Sequence, residues 1–440
     1  MRGRARAAIL TVWFALLFSA GALHHAREEN RDPESTDQSA YLLFAERLVE
    51  EGAVVADGAR GIGYPLIAAT VYSSEGKLEG FFRRAKYLTI VLTTAGWLGA
   101  LWLFRRWMPV VFAFPAWLAV GFCCLVYYAP YTKAEPLYYL ANLGVFALFG
   151  RLLAAPGSRL AALAGAAFAG AWLLKSSASL AFVAYAPVAL LVALVGARAR
   201  SLSRRALEVA RRLRAPLTVA GVFLILVSPV LFHNKAQFGR YFYNVNTTFY
   251  VWYDSWGEAR RGTRAHGDRE GWPDMPDAEL PSAAKYLEEH DAGDIVERFH
   301  DGLRGSARSA VPHGILRHAT VYACGLLALA LAARERTRAL AAEHWPVITF
   351  AVTYLLLHVL STAWYFPINL GARIMAAGFP VFVLTAAAGA ARFGDAASVG
   401  VGRAKLDLAT GLAFAVALML AYDVPYALFE GLPGAVKAGQ

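Results

Sequence analysis

Charged residues are scarce in this 440-residue chain, since Asp, Glu, Lys and Arg together make up only 17% of it. Cysteines are few, and all three, Cys123, Cys124 and Cys324, fall inside apolar runs, where they read as packing residues. No phosphate-binding glycine loop, Ser/His/Asp set or zinc-ligand spacing occurs. These absences exclude a disulfide scaffold, a zinc module and a P-loop enzyme.

What the chain has in abundance is apolar residues, with 58% hydrophobic content and a mean hydropathy of +0.42. A 37-residue run at 160–196 is interrupted by Lys175-Ser176-Ser177 and predicts two short spans meeting at that break. With nine further runs, the sequence predicts an all-α polytopic membrane protein of about 11 transmembrane helices. The nine further runs lie at 7–23, 85–104, 109–128, 136–153, 215–232, 313–333, 345–362, 374–391 and 406–424.

The distribution of charge tests that count. Eleven spans with the N-terminus inside place 20 of the 43 basic residues, but only five acids, on the inner side. The segments 24–84 and 233–312 then become two large outer loops, which hold 24 of the 32 acids. This asymmetry follows the positive-inside rule and predicts a C-terminus outside. The formal charge of +11 therefore indicates contact with anionic membrane lipids, and we expect no nucleic-acid partner.

Residues 1–26 also resemble a signal peptide, with an Arg-rich start and small residues after an apolar core. We favour a retained first helix, because the acidic loop that follows needs anchoring at both ends. Three regions are expected: a membrane module at 1–232 that includes the loop 24–84, an outer helical and aromatic loop at 233–312, and C-terminal transmembrane helices at 313–440.

The first outer loop carries the most informative stretch, from Asp32 to Pro65. Ser35-Thr36-Asp37-Gln38 opens a segment whose apolar residues recur at helical spacing and which stops at Gly52. Ser35 and Gln38 fit a capping box, which would place Asp37 in the first turn, where the helix dipole keeps a carboxylate ionised. The pattern is typical of an amphipathic helix lying along a membrane surface. Asp37 can equally be no more than a first-turn helix stabiliser.

This order of residues, followed by Gly61-Ile62-Gly63-Tyr64-Pro65 directly after a first span, resembles the first external loop of the GT-C glycosyltransferases. That class comprises polytopic enzymes that use polyprenyl-phosphate sugars, such as the aminoarabinose transferases of lipid A and the protein O-mannosyltransferases. The resemblance implies that Asp37 is the catalytic residue. It also implies that Tyr41 and Tyr64 contact the sugar or the acceptor.

Cations at the outer ends of the spans are the second informative feature, because they run against the positive-inside bias. Several cations on one membrane face call for an anionic partner, which a lipid-linked phosphate would supply. Each one alone can also be explained by snorkelling to headgroups or by pairing with nearby acids. The cations that we expect to bind the donor phosphate are Lys86, Lys133, Lys175 and Arg373.

Glu135, before Pro136 at the start of the fourth span, resembles an acidic position of several GT-C enzymes and is expected near the acceptor or sugar. The segments 234–241 and 365–380 resemble that class in order and position. One departure is that the chain lacks an Asp-x-Asp pair. The nearest equivalent is Asp32 with Glu34, which leaves the use of a divalent cation, Mg²⁺ or Mn²⁺, open.

The function that these features favour is transfer of a sugar from a polyprenyl-phosphate donor to a hydroxyl of a lipid, glycan or protein. The resemblance implies inversion at the anomeric carbon, at the outer face of a bacterial inner membrane. The alternatives are a lipid or lipid-linked-glycan flippase or transporter, a glycan ligase or polymerase, and a structural protein. Transporters place ionisable groups at the midplane and show repeated halves, whereas these charges cluster at outer helix ends.

Overall fold

The computed structural model describes residues 2–34, 37–52, 57–74, 78–197, 202–369, 372–401 and 404–429, and these are mostly helical. The first helices are α1 (Arg2–Glu28), α2 (Gln38–Glu50), α3 (Gly63–Ala69), α4 (Leu78–Trp107), α5 (Val110–Val120), α6 (Val126–Tyr128), α7 (Glu135–Ala154), α8 (Ser158–Leu174) and α9 (Ser179–Gly196). The later helices are α10 (Leu202–Arg212), α11 (Arg214–Phe238), α12 (Val245–Thr248), α13 (Trp256–Arg261), α14 (Ala283–Glu289), α15 (Ala292–Ala310), α16 (Ile315–Ala332), α17 (Arg334–Tyr365), α18 (Arg373–Ala391) and α19 (Leu408–Phe429).

Ten helical segments among the described residues are long and apolar enough to cross a membrane, and α8 is a shorter apolar helix. At 17 residues, α8 is about 25 Å long, somewhat less than the hydrocarbon thickness of about 30 Å. The chain breaks where the sequence predicted, because Lys175 is extended (φ −157°, ψ 125°) between α8 and a short 3₁₀ turn, Ser176–Ala178. The described helices confirm an all-α polytopic membrane protein, with eleven apolar helices once α8 is included.

Contacts between helix ends show that the apolar helices alternate in direction. Lys175, after α8, lies beside Glu135 at the start of α7, and His25 in α1 bonds Ala427 O near the end of α19. At the opposite end, Arg212, the last residue of α10 and just before α11, donates to Gly196 O at the end of α9. The described residues of segments 29–74 and 239–314 therefore lie at one end of the bundle, which we call the loop end. If eleven helices cross the membrane, both segments follow an odd-numbered span, so they must lie at the same end, as observed.

Paired tryptophans fix α4 against α5 in the core. The rings of Trp97 and Trp117 stack with centroids 3.9 Å apart. Each indole N–H donates to the other residue's carbonyl, at 2.9 and 2.7 Å, so both buried donors are satisfied. Gly121 opens a π-helical turn at Gly121–Leu125, and a Cβ there would lie only 2.3 Å from the Trp97 ring. The close approach of these helices therefore depends on glycine at 121.

The segment 61–65 was expected to be a turn, but its Gly63, Tyr64 and Pro65 form the start of α3, which packs onto the end of α8. A Cβ on Gly61 would lie 2.2 Å from Leu173 O, and one on Gly63 would lie 2.8 Å from the carbonyl carbon of Leu173. The backbone at these two glycines is in contact with the backbone of α8, so any residue with a Cβ at 61 or 63 would clash. The contact holds α3 and the preceding turn next to Lys175.

The second outer segment closes over the first. Val245 N donates to Gly58 O at 2.8 Å, and the side-chain amides of Asn244 and Asn246 donate to Ala59 O at 3.1 and 3.2 Å. Tyr365 O–H, at the end of α17, donates to Asn246 Oδ1 at 2.7 Å. These bonds connect residues from three distant parts of the chain and hold the turn at 57–60 in place.

Two details differ from the sequence expectation. Helix α2 begins at Gln38, so Asp37 is its N-cap residue rather than part of the first turn, and it makes no side-chain capping bond. Ser35, the other half of the expected capping box, lies outside the described residues. A short antiparallel hairpin, β1 (Ser398–Val401) with β2 (Ala404–Asp407), connects α18 to α19 and departs from a purely helical fold.

Candidate functional site

Asp37 lies between two guanidinium groups at the loop end. Its Oδ1 accepts from Arg60 Nη2 at 2.6 Å, and its Oδ2 accepts from Arg373 Nη1 at 3.3 Å. Burial alone would raise the pKa of the Asp37 carboxyl, but Arg60 and Arg373 outweigh burial and hold that pKa well below its usual range. Asp37 is therefore ionised and fully engaged at neutral pH.

Arg60 is a site residue that sequence reasoning missed. Asp57 fixes it, because Asp57 Oδ1 accepts from the backbone N–H groups of Ala59 (2.8 Å) and Arg60 (2.5 Å), and Oδ2 accepts from Arg60 Nη1 at 2.7 Å. Gly58 supplies the positive φ, 71°, in this turn. An Asp-Gly pair such as 57–58 is a turn signal, but the partner of Arg60 lies 23 residues away and leaves no local pattern.

Glu135 forms the second carboxylate of the site. It is 2% exposed at the start of α7, and its Oε1 accepts from Lys175 Nζ at 2.8 Å. Arg373 Nη1 lies 4.0 Å from the same oxygen, so this guanidinium bridges Glu135 and Asp37. Glu135 Oε2 is buried without a hydrogen-bond partner among the described residues, which makes it an acceptor open to a ligand.

Lys133 brings a cation that makes no ion pair with the described residues. It is 8% exposed and lies over the ring of Tyr131, with Nζ 5.1 Å from the centroid. Burial lowers the pKa of Lys133 to about 8, against the opposing effect of nearby Glu135. The ammonium is therefore charged at neutral pH in a desolvated position, which an anionic ligand would stabilise.

The site as a whole carries one net positive charge and several unused donors. Four cations face three carboxylates, and the Nε atoms of Arg60 and Arg373 are buried without a partner among the described residues. Buried charged donors are rarely left unmatched in folded proteins. The cluster can therefore hold an anion of one charge together with a group that donates to Glu135. Its members are Asp37, Asp57, Glu135, Arg60, Arg373, Lys133 and Lys175.

Tyr41 and Tyr64, expected to contact the sugar or acceptor, form an aromatic wall beside this cluster. Their rings meet edge to face at 5.4 Å, and the Arg60 guanidinium lies 5.6 Å from the Tyr41 centroid. The Tyr64 hydroxyl pairs with Thr89 Oγ1 at 2.8 Å, so that hydroxyl already has a protein partner. Tyr41 is thus the nearer of the two to the charged groups.

Lys86 is the one expected phosphate-binding cation that the structure does not bring to the cluster. Its Nζ donates to the carbonyls of Ala26 (2.7 Å) and Asn30 (2.6 Å) and lies 4.2 Å from the centroid of Phe82. A cation at the outer end of α4 was expected to face a ligand. Instead it bonds the end of α1, where the last helical carbonyls need donors.

A buried pair of side-chain amides sets Asp37 relative to Lys133, a role that the sequence, where Gln38 fitted a capping box, did not indicate. Asn30 and Gln38 exchange two hydrogen bonds, at 2.9 and 2.8 Å, and Gln38 Oε1 also accepts from Thr132 N at 3.0 Å. Gln38 follows Asp37 in sequence, and Thr132 precedes Lys133. The amide pair therefore fixes the start of α2 against the loop that carries Lys133.

Asp32 and Glu34, the residues considered for a divalent cation, do not form a cage in this structure. Both are exposed, and Asp32 Oδ1 accepts from Glu34 N at 2.8 Å. Among the described residues, one cluster of three potential metal ligands occurs, formed by Cys123, His318 and Asp423. There the carboxylate pairs with Arg317 through Oδ1 and with His318 Nε2 at 2.8 Å through Oδ2, which accounts for both of its oxygens.

The fold and site together define an integral membrane protein with an ionised carboxylate inside a cationic cluster at one end of its helix bundle. No protein-family model and no curated protein matches the chain. A similar solved structure is ArnT from Cupriavidus metallidurans bound to undecaprenyl phosphate, with 17% sequence identity and a TM-score of 0.32. That alignment covers 87% of this chain and 77% of the other. At this identity and TM-score, the function has to be argued from the site itself.

Proposed function

We propose that the protein is a glycosyltransferase that moves a sugar from a polyprenyl-phosphate donor to an acceptor hydroxyl. The observation that carries the proposal is Asp37, an ionised carboxylate held inside a cluster of four cations with unmatched donors. The positive-inside distribution of charge indicates that this loop end is the outer face. A bacterial inner membrane is the location we propose.

The charge of the cluster suits a phosphodiester. A polyprenyl-phosphate sugar carries one negative charge between its lipid and its sugar, and the cluster carries one net positive charge. The cations lie at the ends of apolar helices, so a phosphate bound there can leave its polyprenyl chain among lipid tails. Lys133, Lys175 and Arg373 are the residues that we propose to bind it.

In the proposed reaction, the acceptor oxygen attacks the anomeric carbon from the face opposite the phosphate. The new C–O bond forms as the bond from that carbon to the phosphate oxygen breaks, and the bonding pair leaves on the phosphate. Asp37 takes the proton of the acceptor hydroxyl as general base, and the cations stabilise the departing phosphate. The products are an inverted glycoside and polyprenyl phosphate.

The remaining residues position the sugar and the acceptor. Glu135 Oε2, which is buried and lacks a partner among the described residues, is placed to accept from a sugar hydroxyl. Tyr41 supplies an apolar face next to Asp37. No step is assigned to a divalent cation, because Asp32 and Glu34 are exposed and Asp32 Oδ1 accepts from the backbone N–H of Glu34. The site draws Arg373 from the C-terminal region, so it extends beyond residues 1–232.

A screen of donors tests the proposal. Purified protein is incubated with a panel of polyprenyl-phosphate sugars labelled in the sugar, together with total membrane acceptors. Transfer of label from at least one donor, lost in Asp37→Asn, is the expected result. Uptake of the intact donor into vesicles without any transfer would instead support the flippase alternative.

A further inference from the structure

In the structure, Asp37 is a poor proton acceptor, because two guanidinium groups stabilise its ionised form. A general base works best when its pKa lies near the working pH. Something must therefore weaken one of these ion pairs before Asp37 can take a proton. The two arginines differ in how firmly the protein holds them, and this difference identifies which pair changes.

Arg60 is anchored and Arg373 is not. Arg60 binds Asp57 through Nη1 at 2.7 Å and through its own backbone N–H, and its side chain is only 10% exposed. Arg373 reaches Asp37 at 3.3 Å and Glu135 at 4.0 Å through the same Nη1 atom, and its side chain is 28% exposed. The Nε–Nη2 edge of Arg373 makes no hydrogen bond to the described residues, and Nε is buried. That edge has the spacing that binds phosphate through two parallel hydrogen bonds.

We infer that the donor phosphate docks on the free Nε–Nη2 edge of Arg373 and, by drawing on that guanidinium, turns Asp37 from an ion-pair partner into a proton acceptor. This inference rests on the proposed function. The anion offsets the Arg373 charge that Asp37 senses and adds a negative charge nearby, and both effects favour the protonated carboxyl. Arg60 stays on Oδ1, so Oδ2 is the atom that receives the proton.

Other charged and titratable groups lie around Asp37 on the neighbouring elements. They determine how strongly the ionised form of Asp37 is still stabilised once the donor has bound. Lys133 attracts the carboxylate only through space, whereas Arg373 bonds it directly, so most of the shift comes from Arg373. The groups are Arg60 and Asp57 in the 57–60 turn, Tyr41 in α2, Lys133 in the loop before α7, Glu135 at the start of α7, Lys175 after α8, Tyr365 in α17 and Arg373 in α18.

The donor and the acceptor must then act in a fixed order. Before the donor binds, Asp37 cannot take the acceptor's proton, so an acceptor bound first is unreactive. Binding of the donor phosphate makes the base, and proton removal follows. The base is therefore produced only when the sugar to be transferred is in place, which limits wasteful activation of water at the site.

The test is an infrared titration of the Asp37 carboxyl in nanodiscs, with and without undecaprenyl phosphate. This monoester lacks a sugar, so no transfer can occur, and subtraction of Asp37→Asn spectra assigns the band. We expect the protonation midpoint of Asp37 to rise by about 1–3 pH units on addition of the phosphate, the effect typical of one neighbouring charge. A midpoint that stays constant or falls while the phosphate binds overturns the inference.

Matched arginine variants locate the effect. Arg60→Gln also loses one ion pair to Asp37 but keeps the Arg373 edge, so its midpoint should still rise with phosphate. Arg373→Gln should show a much smaller rise, because only the phosphate's own charge then acts on Asp37. Arg373→Lys keeps the charge but lacks the two-donor edge, so the rise in the Asp37 midpoint should be reduced. This variant also serves as the test if Arg373→Gln does not fold. An undiminished rise in both Arg373 variants overturns the inference.

Failure of the proposed transferase activity can be distinguished from failure of the coupling through Arg373. If the wild type binds undecaprenyl phosphate with the expected rise but transfers no sugar from any donor, the proposed transferase fails and the coupling through Arg373 stands. If the phosphate does not bind at all, both fail.

With an active donor, the acid limb of kcat should lie above that of kcat/KM by about 1–3 pH units, because kcat reports the donor complex and kcat/KM reports the free enzyme.

Discussion

Replacement of Asp37 by Asn removes the proposed base while keeping the size of the side chain. Each of its two ion pairs is partly exposed and contributes about 0–1 kcal/mol, and a charge at a helix N-terminus contributes about 0.3–1 kcal/mol. These contributions add to about 0.3–3 kcal/mol, so we expect a loss of stability near the middle of that range, about 2 kcal/mol. General-base catalysis is typically worth about 10²–10⁴-fold, or about 2.7–5.5 kcal/mol of transition-state stabilisation. The loss of turnover should thus exceed the loss of stability.

The assay for this variant is single-turnover transfer at saturating donor, with donor affinity and thermal unfolding measured on the same preparation. Donor affinity should stay the same or tighten, because the neutral amide that replaces the carboxylate no longer competes for Arg373. Asp57→Asn is the matched control, since Asp57 binds Arg60 at 2.7 Å but does not contact Arg373, and turnover there should fall by less. Wild-type turnover in Asp37→Asn, or its loss in Asp32→Asn instead, would refute the choice of base.

Three further predictions follow from the same contacts. Lys175→Gln should weaken binding of polyprenyl phosphate and also destabilise the fold, since it leaves buried Glu135 without its 2.8 Å partner. Adding Glu135→Gln to this variant should restore thermal stability but not affinity for the phosphate. Affinity for the phosphate should fall as pH rises through about 8, where Lys133 loses its proton, and Lys133→Arg should remove this dependence in equilibrium binding assays. Gln38→Leu should increase hydrogen exchange in the loop at 130–134 and lower turnover, whereas Asn142→Leu, an equally buried amide bonded to Tyr354, should leave that loop protected.

The sequence predicted the membrane architecture well, because bilayer thickness and charge asymmetry leave a strong signal in every span. The break at Lys175 was visible as a polar interruption of a 37-residue apolar run, and the structure has its turn at that residue. Four of the expected site residues, Asp37, Glu135, Lys175 and Arg373, meet through direct contacts. Glu135, Lys175 and Arg373 stood out as charges at the outer ends of apolar runs, and Asp37 as an acid at the start of an amphipathic helix in the first outer loop.

Residues that act through distant partners were not predictable in the same way. Arg60 and Gln38 lie in polar loop sequence where many such residues face solvent, and their roles depend on partners 23 and 94 positions away. Lys86 shows the opposite error, since it shares the sequence position of a site cation but its rotation on α4 points it to α1. Charge at a helix end predicts the depth of a residue in the membrane, but not its direction around the helix.

The measurement that tests the central claim most directly is one turnover in proteoliposomes with a donor labelled separately in its sugar and in its phosphate. The proposed reaction predicts that the sugar label moves to the acceptor with inverted anomeric configuration while the phosphate label stays on the polyprenyl lipid. Movement of both labels together to the acceptor would contradict cleavage at the anomeric carbon. Appearance of both labels, still joined to the lipid, on the opposite membrane face would show a transporter instead.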